Sequence, residues 1–227
     1  MSRLYVSAQV QTLRSSARKG GSMIFQECDC WWCGRGYAKV LHTFTMYGVR
    51  EFWVDIPKNA STSIKERWAL TRQPSIFPKA LYSELDCKPL AVYRDPMDRF
   101  VSLLNHYLTK SGTYGRFLKG TAALADIGVN INEVELPERI SLFMGCLSKL
   151  TGFHQVHHFY PQTHWLPEEF EEFTWIPMHK VGEVFHTKNT TPGSGLITLD
   201  MLTDTQKHFI LNEYKVDYDY FNQKGLL

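Results

Sequence analysis

The chain lacks the features that would identify a membrane protein or a disordered one. No run approaches the roughly 18 to 20 apolar residues that a membrane-spanning helix needs. Of its 227 residues, 44% are hydrophobic and 21% are charged, which is typical of a folded globular chain. The formal net charge is only +2, so no general basic field favours a nucleic-acid partner. The bulk charge therefore argues neither for nor against nucleic acid. We expect one folded domain that spans no membrane, and we expect no nucleic-acid partner.

The first 22 residues also lack the apolar core of a secretory signal peptide. They carry four basic residues, several serines and no acid, a composition that a transit peptide shares with a plain flexible tail. The tail is the simpler interpretation, and with no signal peptide or membrane anchor seen we expect a cytoplasmic protein. Residues 23–50 are interpreted as a lead-in segment containing cysteine and tryptophan, and residues 51–227 as the single domain. The oligomeric state has no signature in the sequence.

Cysteine is scarce, and the five residues are odd in number. Cys28, Cys30 and Cys33 could supply three thiolates to zinc, with His42 as a fourth ligand, but structural zinc sites ordinarily use two separated pairs. A secreted disulfide framework would more often pair its cysteines evenly. Reduced cysteines in a reducing compartment are the simpler interpretation, and we expect no metal.

Two strand–loop–helix units organise the domain. Residues 51–56 (EFWVDI) and 88–93 (KPLAVY) have the composition of buried strands, and helical segments follow at 62–70 and 97–107. Such repeated units imply parallel strands with crossover helices, and open parallel sheets bind ligands beyond the carboxyl ends of their strands. The loops after residues 56 and 93 are therefore the candidate site. A strand is predicted at 174–178, where Pro177 must lie at a strand end or on a sheet edge, and a helix is predicted over 199–221 with Thr203 as its N-cap.

The first loop, PKNASTS at 57–63, has the residue types of an anion-binding site. Backbone N–H groups at a helix start attract negative charge, Lys58 adds a cation, and small hydroxyl residues let the backbone approach an oxyanion. An ordinary Ser/Thr helix cap is the alternative interpretation. A Walker A loop needs two glycines and a lysine directly before the helix, whereas this loop has no glycine. A nucleotide triphosphatase is therefore disfavoured.

The second loop, YRDPMDR at 93–99, again leaves a strand and enters a helix. Asp95 is placed to cap that helix, and proline at the next position favours its first turn. Arg94 follows the strand directly. Ser102 lies eight residues later, about two helical turns, where its hydroxyl could reach the same phosphate as Arg94. Arg99 is interpreted as a structural partner of Asp95 or Asp98.

These two loops carry a resemblance to a known family. IPKNASTSIK at 56–65 and VYRDPMDRFVSLLNHY at 92–107 resemble the 5′-phosphosulfate loop and the 3′-phosphate motif of sulfotransferases that use 3′-phosphoadenosine 5′-phosphosulfate (PAPS). HHFYPQTHWL at 157–166, VGEVF at 181–185 and LTDTQKHFILNEYKVDYDYF at 202–221 resemble segments of the Golgi carbohydrate sulfotransferases and their soluble microbial or viral relatives. The likeness runs from about residue 51 to 221. It implies an α/β fold, a P-loop-like three-layer sandwich with a central, mainly parallel sheet flanked by helices.

The resemblance also implies an activity and a set of site residues. The chain would transfer a sulfuryl group from PAPS, as co-substrate, to a hydroxyl or amine of an acceptor, with a carbohydrate as one candidate. Arg94 and Ser102 would bind the 3′-phosphate. The 5′-phosphosulfate would lie among Lys58, Asn59, Ala60, Ser61, Thr62 and Ser63.

An acceptor hydroxyl also needs a general base. His158 is the first candidate, within a cluster that includes His157 and His164, although packing or acceptor recognition would explain such a cluster equally well. Glu84 is the second, because it precedes the second strand near where related enzymes carry the base. Two other functions stay open: a P-loop-like nucleotide kinase, and a catalytically silent nucleotide-binding module.

Overall fold

The computed structural model describes residues 41–68, 79–109, 121, 124–125, 128–130, 133–147, 156–187 and 195–227. Cys28, Cys30 and Cys33 lie outside these ranges, and so does the predicted N-terminal tail. Within them the chain is α/β, with six α-helices and one open sheet of four strands that pair mostly in parallel. None of the helices in these ranges is both long enough and apolar enough to cross a bilayer.

The sheet is formed by strands that lie in the order in which they occur along the chain, β1-β2-β3-β4. They are β1 (Leu41–Met46), β2 (Val49–Val54), β3 (Leu90–Tyr93) and β4 (Thr174–Pro177). β1 and β2 form an antiparallel hairpin, whereas β2 pairs with β3 and β3 with β4 in parallel. The parallel pairing predicted for the two strand–loop–helix units is confirmed. The edge position of β4 is also confirmed, and it suits Pro177 because proline cannot donate to a neighbouring strand.

Strand β1 is an element that the sequence analysis missed. Tyr47 and Gly48 join it to β2 with φ values of 52° and 82°. Positive φ at both central residues is the geometry of a two-residue hairpin that matches the twist of its strands. Gly48 between two runs of alternating polarity was the sequence feature that could have predicted this hairpin. The sheet therefore includes residues that were assigned to the lead-in segment.

The helices are close to those predicted around the two loops and differ near the C-terminus. Short 3₁₀ turns lie at Lys79–Glu84, Val156–Phe159, Gln162–Trp165, Met178–Lys180 and Leu199–Met201. The predicted helix over 199–221 is two helices that meet at Tyr214, and Thr203 caps the first of them in a reciprocal capping box with Gln206. The α-helices are α1 (Ser61–Arg67), α2 (Pro96–Leu108), α3 (Leu136–Cys146), α4 (Val181–Phe185), α5 (Asp204–Glu213) and α6 (Lys215–Gln223).

Both faces of the sheet are covered by apolar side chains. Neighbouring strand residues point to opposite faces, so Val54 packs with Tyr82 and Trp165 on one face, while Trp53 packs with Ile64 and Phe185 on the other. A third apolar cluster joins α2, α3 and α5 beside the sheet. Because the faces are buried, the carboxyl ends of β2 and β3 are where polar side chains can collect.

Candidate functional site

The turns that follow β2 and β3 lie side by side at one edge of the sheet. The two strands are parallel neighbours, with Val54 opposite Ala91. Asn59 Nδ2 donates to the carbonyl oxygen of Val92 at 2.7 Å, and Arg99 Nε donates to the carbonyl oxygen of Pro57 at 3.0 Å. The turn that carries Lys58 is therefore bonded directly to the strand and helix on either side of Arg94.

The first turn has an unusual backbone. Lys58 and Ala60 both have positive φ, 69° and 61°, while Asn59 between them does not. A non-glycine residue in this region costs of order 1 kcal/mol or more and persists only where the surroundings impose it. Successive residues of alternating hand can turn their N–H groups into an anion-binding concavity. The alternating sign of φ is compatible with such a concavity, although the N–H of Asn59 itself donates to the carbonyl oxygen of Ile56 at 3.2 Å.

Asn59 is the buried residue of this turn, with a relative exposure of 1%. Besides its bond to Val92, its Nδ2 donates to Gln162 Oε1 at 2.6 Å. Its Oδ1 has no hydrogen-bond partner in the part of the chain that the structure describes. Its main role in the fold is therefore to hold the turn against β3.

The hydroxyl residues that follow differ from one another. Ser61 Oγ donates to the carbonyl oxygen of Ile56 at 2.8 Å and so closes the turn, whereas Thr62 is exposed and Ser63 is half-buried. Helix α1 begins after Ala60 without a side-chain cap, and it is only seven residues long. Its dipole is correspondingly small, so Lys58 and the backbone of the turn dominate the local positive charge.

Asp55, just before this turn, has its negative charge balanced by neighbouring side chains. Lys65 of α1 forms an ion pair with its carboxylate, and His42 Nε2 lies 3.4 Å from Oδ2. Burial would raise the pKa of Asp55, but the hydrogen bond from His42 and the charge of Lys65 outweigh it and hold the pKa below its usual value. His42 also stacks on Trp53, with 5.2 Å between ring centroids. This carboxylate is therefore a structural partner of α1.

The second turn is built as predicted at its helix start. Asp95 Oδ1 accepts hydrogen bonds from the backbone N–H groups of Met97 at 2.8 Å and Asp98 at 3.2 Å, and Pro96 occupies the first turn of α2. The predicted cap is confirmed. Because the carboxylate of Asp95 already occupies these N–H groups, an anion at this turn must be bound by side chains.

Arg94 supplies a cation at the end of β3. It is half-buried, and among the described residues its guanidinium makes no hydrogen bond or ion pair. Burial lowers the pKa of Arg94, and the carboxylates of Asp98 and Asp95 partly offset this. Arginine stays charged even so. Ser102 lies half-buried on the second turn of α2, and the structure describes no contact between it and Arg94.

Arg99 does not pair with an aspartate, contrary to the sequence analysis. It is fully buried and donates to three carbonyl oxygens: Pro57 at 3.0 Å, Tyr160 at 2.9 Å and His158 at 2.9 Å. The reason is that Asp95 is engaged as the cap of α2, while three carbonyl groups without strand partners converge on the guanidinium. Arg99 is thus the link between the first turn, α2 and the segment at 158–160.

Gln162 and Asp217 are residues of the site that the sequence analysis missed. Gln162 Oε1 accepts from the backbone N–H of Arg94 at 3.1 Å, and its Nε2 donates to the Arg94 carbonyl at 2.7 Å. The carboxylate of Asp217 in turn accepts from the backbone N–H groups of Gln162 and Thr163, at 2.7 and 2.9 Å. Gln162 lies within the segment 157–166 that resembles the family, so it could have been found there. The search for a base favoured the histidines of that segment instead.

Neither candidate base has a described contact with Lys58. The carbonyl of His158 binds Arg99, and its ring Nδ1 lies 3.3 Å from the hydroxyl of Tyr107, on the flank of α2. Glu84 is exposed at the end of its 3₁₀ turn. His164 packs edge-on against Tyr160, with 4.6 Å between ring centroids, while the side chain of His157 lies outside the described part of the structure.

Across the described ranges, no group of three or more His, Cys, Asp or Glu side chains is arranged to hold a metal ion. Comparison of the chain with protein-family models, with curated proteins and with solved structures found no match. The basis for assigning a function is therefore the geometry of the two turns.

Proposed function

We propose that this protein is a sulfotransferase that moves a sulfuryl group from PAPS to a hydroxyl or amine of an acceptor, with carbohydrates as the first acceptor class to test. The observation that carries the proposal is the contact between two turns whose sequences resemble the phosphosulfate and 3′-phosphate motifs of that family. Asn59 bonds the first turn to β3, and Gln162 bonds Asn59 to Arg94. One doubly phosphorylated nucleotide could therefore contact both turns.

The charges of the two turns support the assignment of the nucleotide. Lys58 lies in a turn of alternating hand, which suits a phosphosulfate. The half-buried guanidinium of Arg94 makes no hydrogen bond or ion pair among the described residues, although the carboxylates of Asp98 and Asp95 act on its charge, so its N–H groups are available to a phosphate. Ser102 would add a hydroxyl donor from α2. The finer fold assignment, a P-loop-like three-layer sandwich, belongs to the same proposal and is supported by the open, mostly parallel sheet with both faces covered.

The reaction would be a direct transfer between two oxygens, or from an oxygen to a nitrogen. The sulfur–oxygen bond to the 5′-phosphate breaks as a bond from sulfur to the acceptor atom forms, and the products are the sulfated acceptor and adenosine 3′,5′-bisphosphate. Such transfers depend on in-line positioning and on stabilising the charge that develops on the leaving phosphate. Lys58 would stabilise that charge, aided by the backbone N–H groups of residues 60–63.

The acceptor proton must pass to a base. His158 and Glu84 remain the candidates, and the position of the His158 ring beside Tyr107 favours it, because a partly buried imidazole with one nitrogen near a hydroxyl is held in a fixed orientation. Glu84 is exposed, so no described contact fixes its carboxylate.

Binding of adenosine 3′,5′-bisphosphate tests the nucleotide assignment. At one hundred times its dissociation constant, a ligand stabilises the folded state by about 2.7 kcal/mol, which a thermal melt detects readily. We expect stabilisation by adenosine 3′,5′-bisphosphate and a much smaller effect from ATP with Mg²⁺. The reverse order would contradict the proposal and favour a nucleotide kinase.

Replacing Lys58 tests the chemistry. Removing a preorganised charge donor typically lowers the rate by a factor on the order of 10² to 10³, so Lys58→Ala should lose that much sulfuryl transfer from PAPS to a panel of saccharides and phenols. Lys88→Ala is the matched control, because Lys88 precedes β3 and, among the described residues, its side chain forms an exposed ion pair with Glu172. Equal activity of the two variants would remove Lys58 from the mechanism. Binding of the bisphosphate by the wild type with no transfer to any acceptor would favour a silent nucleotide-binding module.

A further inference from the structure

Gln162 uses its side-chain amide as a neighbouring strand would use its backbone. Its Oε1 accepts from the N–H of Arg94, and its Nε2 donates to the carbonyl of the same residue, at 3.1 and 2.7 Å. This is the paired exchange of an antiparallel ladder, made at the point where β3 has left the sheet. The backbone at Arg94 is therefore fixed by a side chain from a distant segment.

The same amide also fixes the first turn. Gln162 Oε1 accepts a second hydrogen bond, from Asn59 Nδ2 at 2.6 Å, and Asn59 stands between the two positive-φ residues. One buried oxygen thus bonds both to the turn that carries Lys58 and to the residue that carries the second cation. Gln162 thus adds to the direct bonds of Asn59 with Val92 and of Arg99 with Pro57, and a shift of its amide would disturb both turns at once.

Gln162 is itself held from the C-terminal part of the chain. The buried carboxylate of Asp217 on α6 accepts from the N–H of Gln162 at 2.7 Å, and from the N–H and hydroxyl of Thr163, both at 2.9 Å. Burial raises the pKa of Asp217, and these donors and the charge of Arg99 partly offset the rise. Asp217 caps the 3₁₀ turn that begins at Gln162, so α6 sets the position of the amide.

We propose that Gln162, anchored by Asp217, is a positioning residue that sets the distance between the Lys58 turn and Arg94 to match the two phosphate-bearing ends of one nucleotide. The proposal rests on the function proposed above. It assigns Gln162 no contact with the ligand. Its effect acts through the two turns, so it should matter only to a ligand that bridges them.

A comparison of nucleotides with one and two phosphates tests this role. A ligand that binds both turns gains from the preset geometry, because its second contact forms within the complex. Adenosine 5′-monophosphate and adenosine 3′-monophosphate can each contact only one turn. We expect Gln162→Met to weaken adenosine 3′,5′-bisphosphate binding about tenfold more than it weakens either monophosphate, as measured by calorimetric titration.

Gln206→Met is the matched control. Gln206 is partly buried and, like Gln162, uses its Oε1 to accept a backbone N–H, from Thr203 at 2.9 Å. It belongs to the cap of α5, away from the two turns. It should leave the ratio of the bisphosphate to monophosphate dissociation constants unchanged. Gln162→Asn keeps the amide but shortens its reach by one methylene, so it should move the ratio in the same direction as Gln162→Met.

The outcomes separate the two proposals. If the wild type fails to bind the bisphosphate, the proposed function is wrong and this inference falls with it. If the wild type binds it but Gln162→Met weakens all three nucleotides equally, the function stands and Gln162 is only structural. Should Gln162→Met fail to fold, Asp217→Asn gives the same test, because it keeps one acceptor oxygen while loosening the anchor. An unchanged ratio in that variant would likewise overturn the positioning role.

Discussion

The two strand-to-helix turns have the same order of elements but are held in different ways. The start of α2 at the second turn is stabilised by nearby residues, because Asp95 caps the helix and Pro96 begins it. The helix is thirteen residues long and buries an apolar face. The first turn leads into a seven-residue helix without a side-chain cap, and Lys58 and Ala60 have positive φ. Its support comes from residues distant in sequence. The first turn therefore depends on the completed fold, whereas the helix start of the second turn is locally determined, even though Gln162 bonds the backbone of Arg94 from a distance.

The same contrast divides the proposed chemistry. At the second turn the helix N–H groups are already bonded to Asp95, so an anion there must be bound by the side chains of Arg94 and Ser102. At the first turn no side chain of the described residues caps α1, and the backbone itself can take part. Side-chain binding suits a phosphate that only has to be recognised. Backbone binding suits the group at which charge changes during transfer.

Removing Arg99 should break the distant support of the first turn. Arg99→Met keeps similar bulk but leaves the carbonyl oxygens of Pro57, His158 and Tyr160 without this donor. Each unsatisfied buried group costs about 1–3 kcal/mol, while relief of the buried charge recovers part of that, so we expect a loss of about 3 kcal/mol in the free energy of unfolding. Urea denaturation measures this loss, provided that the m-value of the variant equals that of the wild type.

The control for this variant is Arg139→Met. Arg139 is half-buried and also donates to carbonyl oxygens, of Leu108 at 3.2 Å and Val134 at 2.9 Å, but it joins α3 to α2 away from the turns. We expect it to lose about 1 kcal/mol. A loss as small for Arg99 would mean that the first turn has other support, and the contrast between the turns would fail.

The contrast also explains what the sequence could predict. Strands β2, β3 and β4, the cap at Asp95 and the helix that follows depend on residues close together in the chain, so local patterns were sufficient. The parallel pairing of these strands followed from their alternation with helices. The hydrogen bonds of Arg99, Gln162 and Asp217 join residues that are 42, 68 and 55 positions apart, and nothing local marks this network. Of the two nearby aspartates predicted to pair with Arg99, Asp95 is already bonded to the helix start, and Asp98 makes no described ion pair with Arg99. Strand β1 was missed because its alternation is short.

Removing Asp95 should affect the second turn by the size of a single helix cap. Asp95→Ala should lower the free energy of unfolding by about 1 kcal/mol, and Asp95→Asn should retain most of it, because asparagine also caps well. Thr203→Ala removes the comparable cap of α5 and should lose a similar amount. A loss for Asp95→Ala several times that of Thr203→Ala would show that the start of α2, too, depends on contacts distant in sequence.

The smallest expected effect concerns Ala60, and its sign is diagnostic. At φ 61° the Cβ of alanine is strained by roughly 1–2 kcal/mol per residue, which glycine would relieve. Glycine costs about 0.5–1 kcal/mol more chain entropy on folding, so Ala60→Gly should stabilise the protein by about 0.5 kcal/mol. Ala80→Gly, at an exposed position in a 3₁₀ turn with ordinary φ, should instead destabilise it by about 0.5–1 kcal/mol. Opposite shifts in the urea midpoint would locate stored strain in the first turn, and shifts of the same sign would mean that its backbone is relaxed.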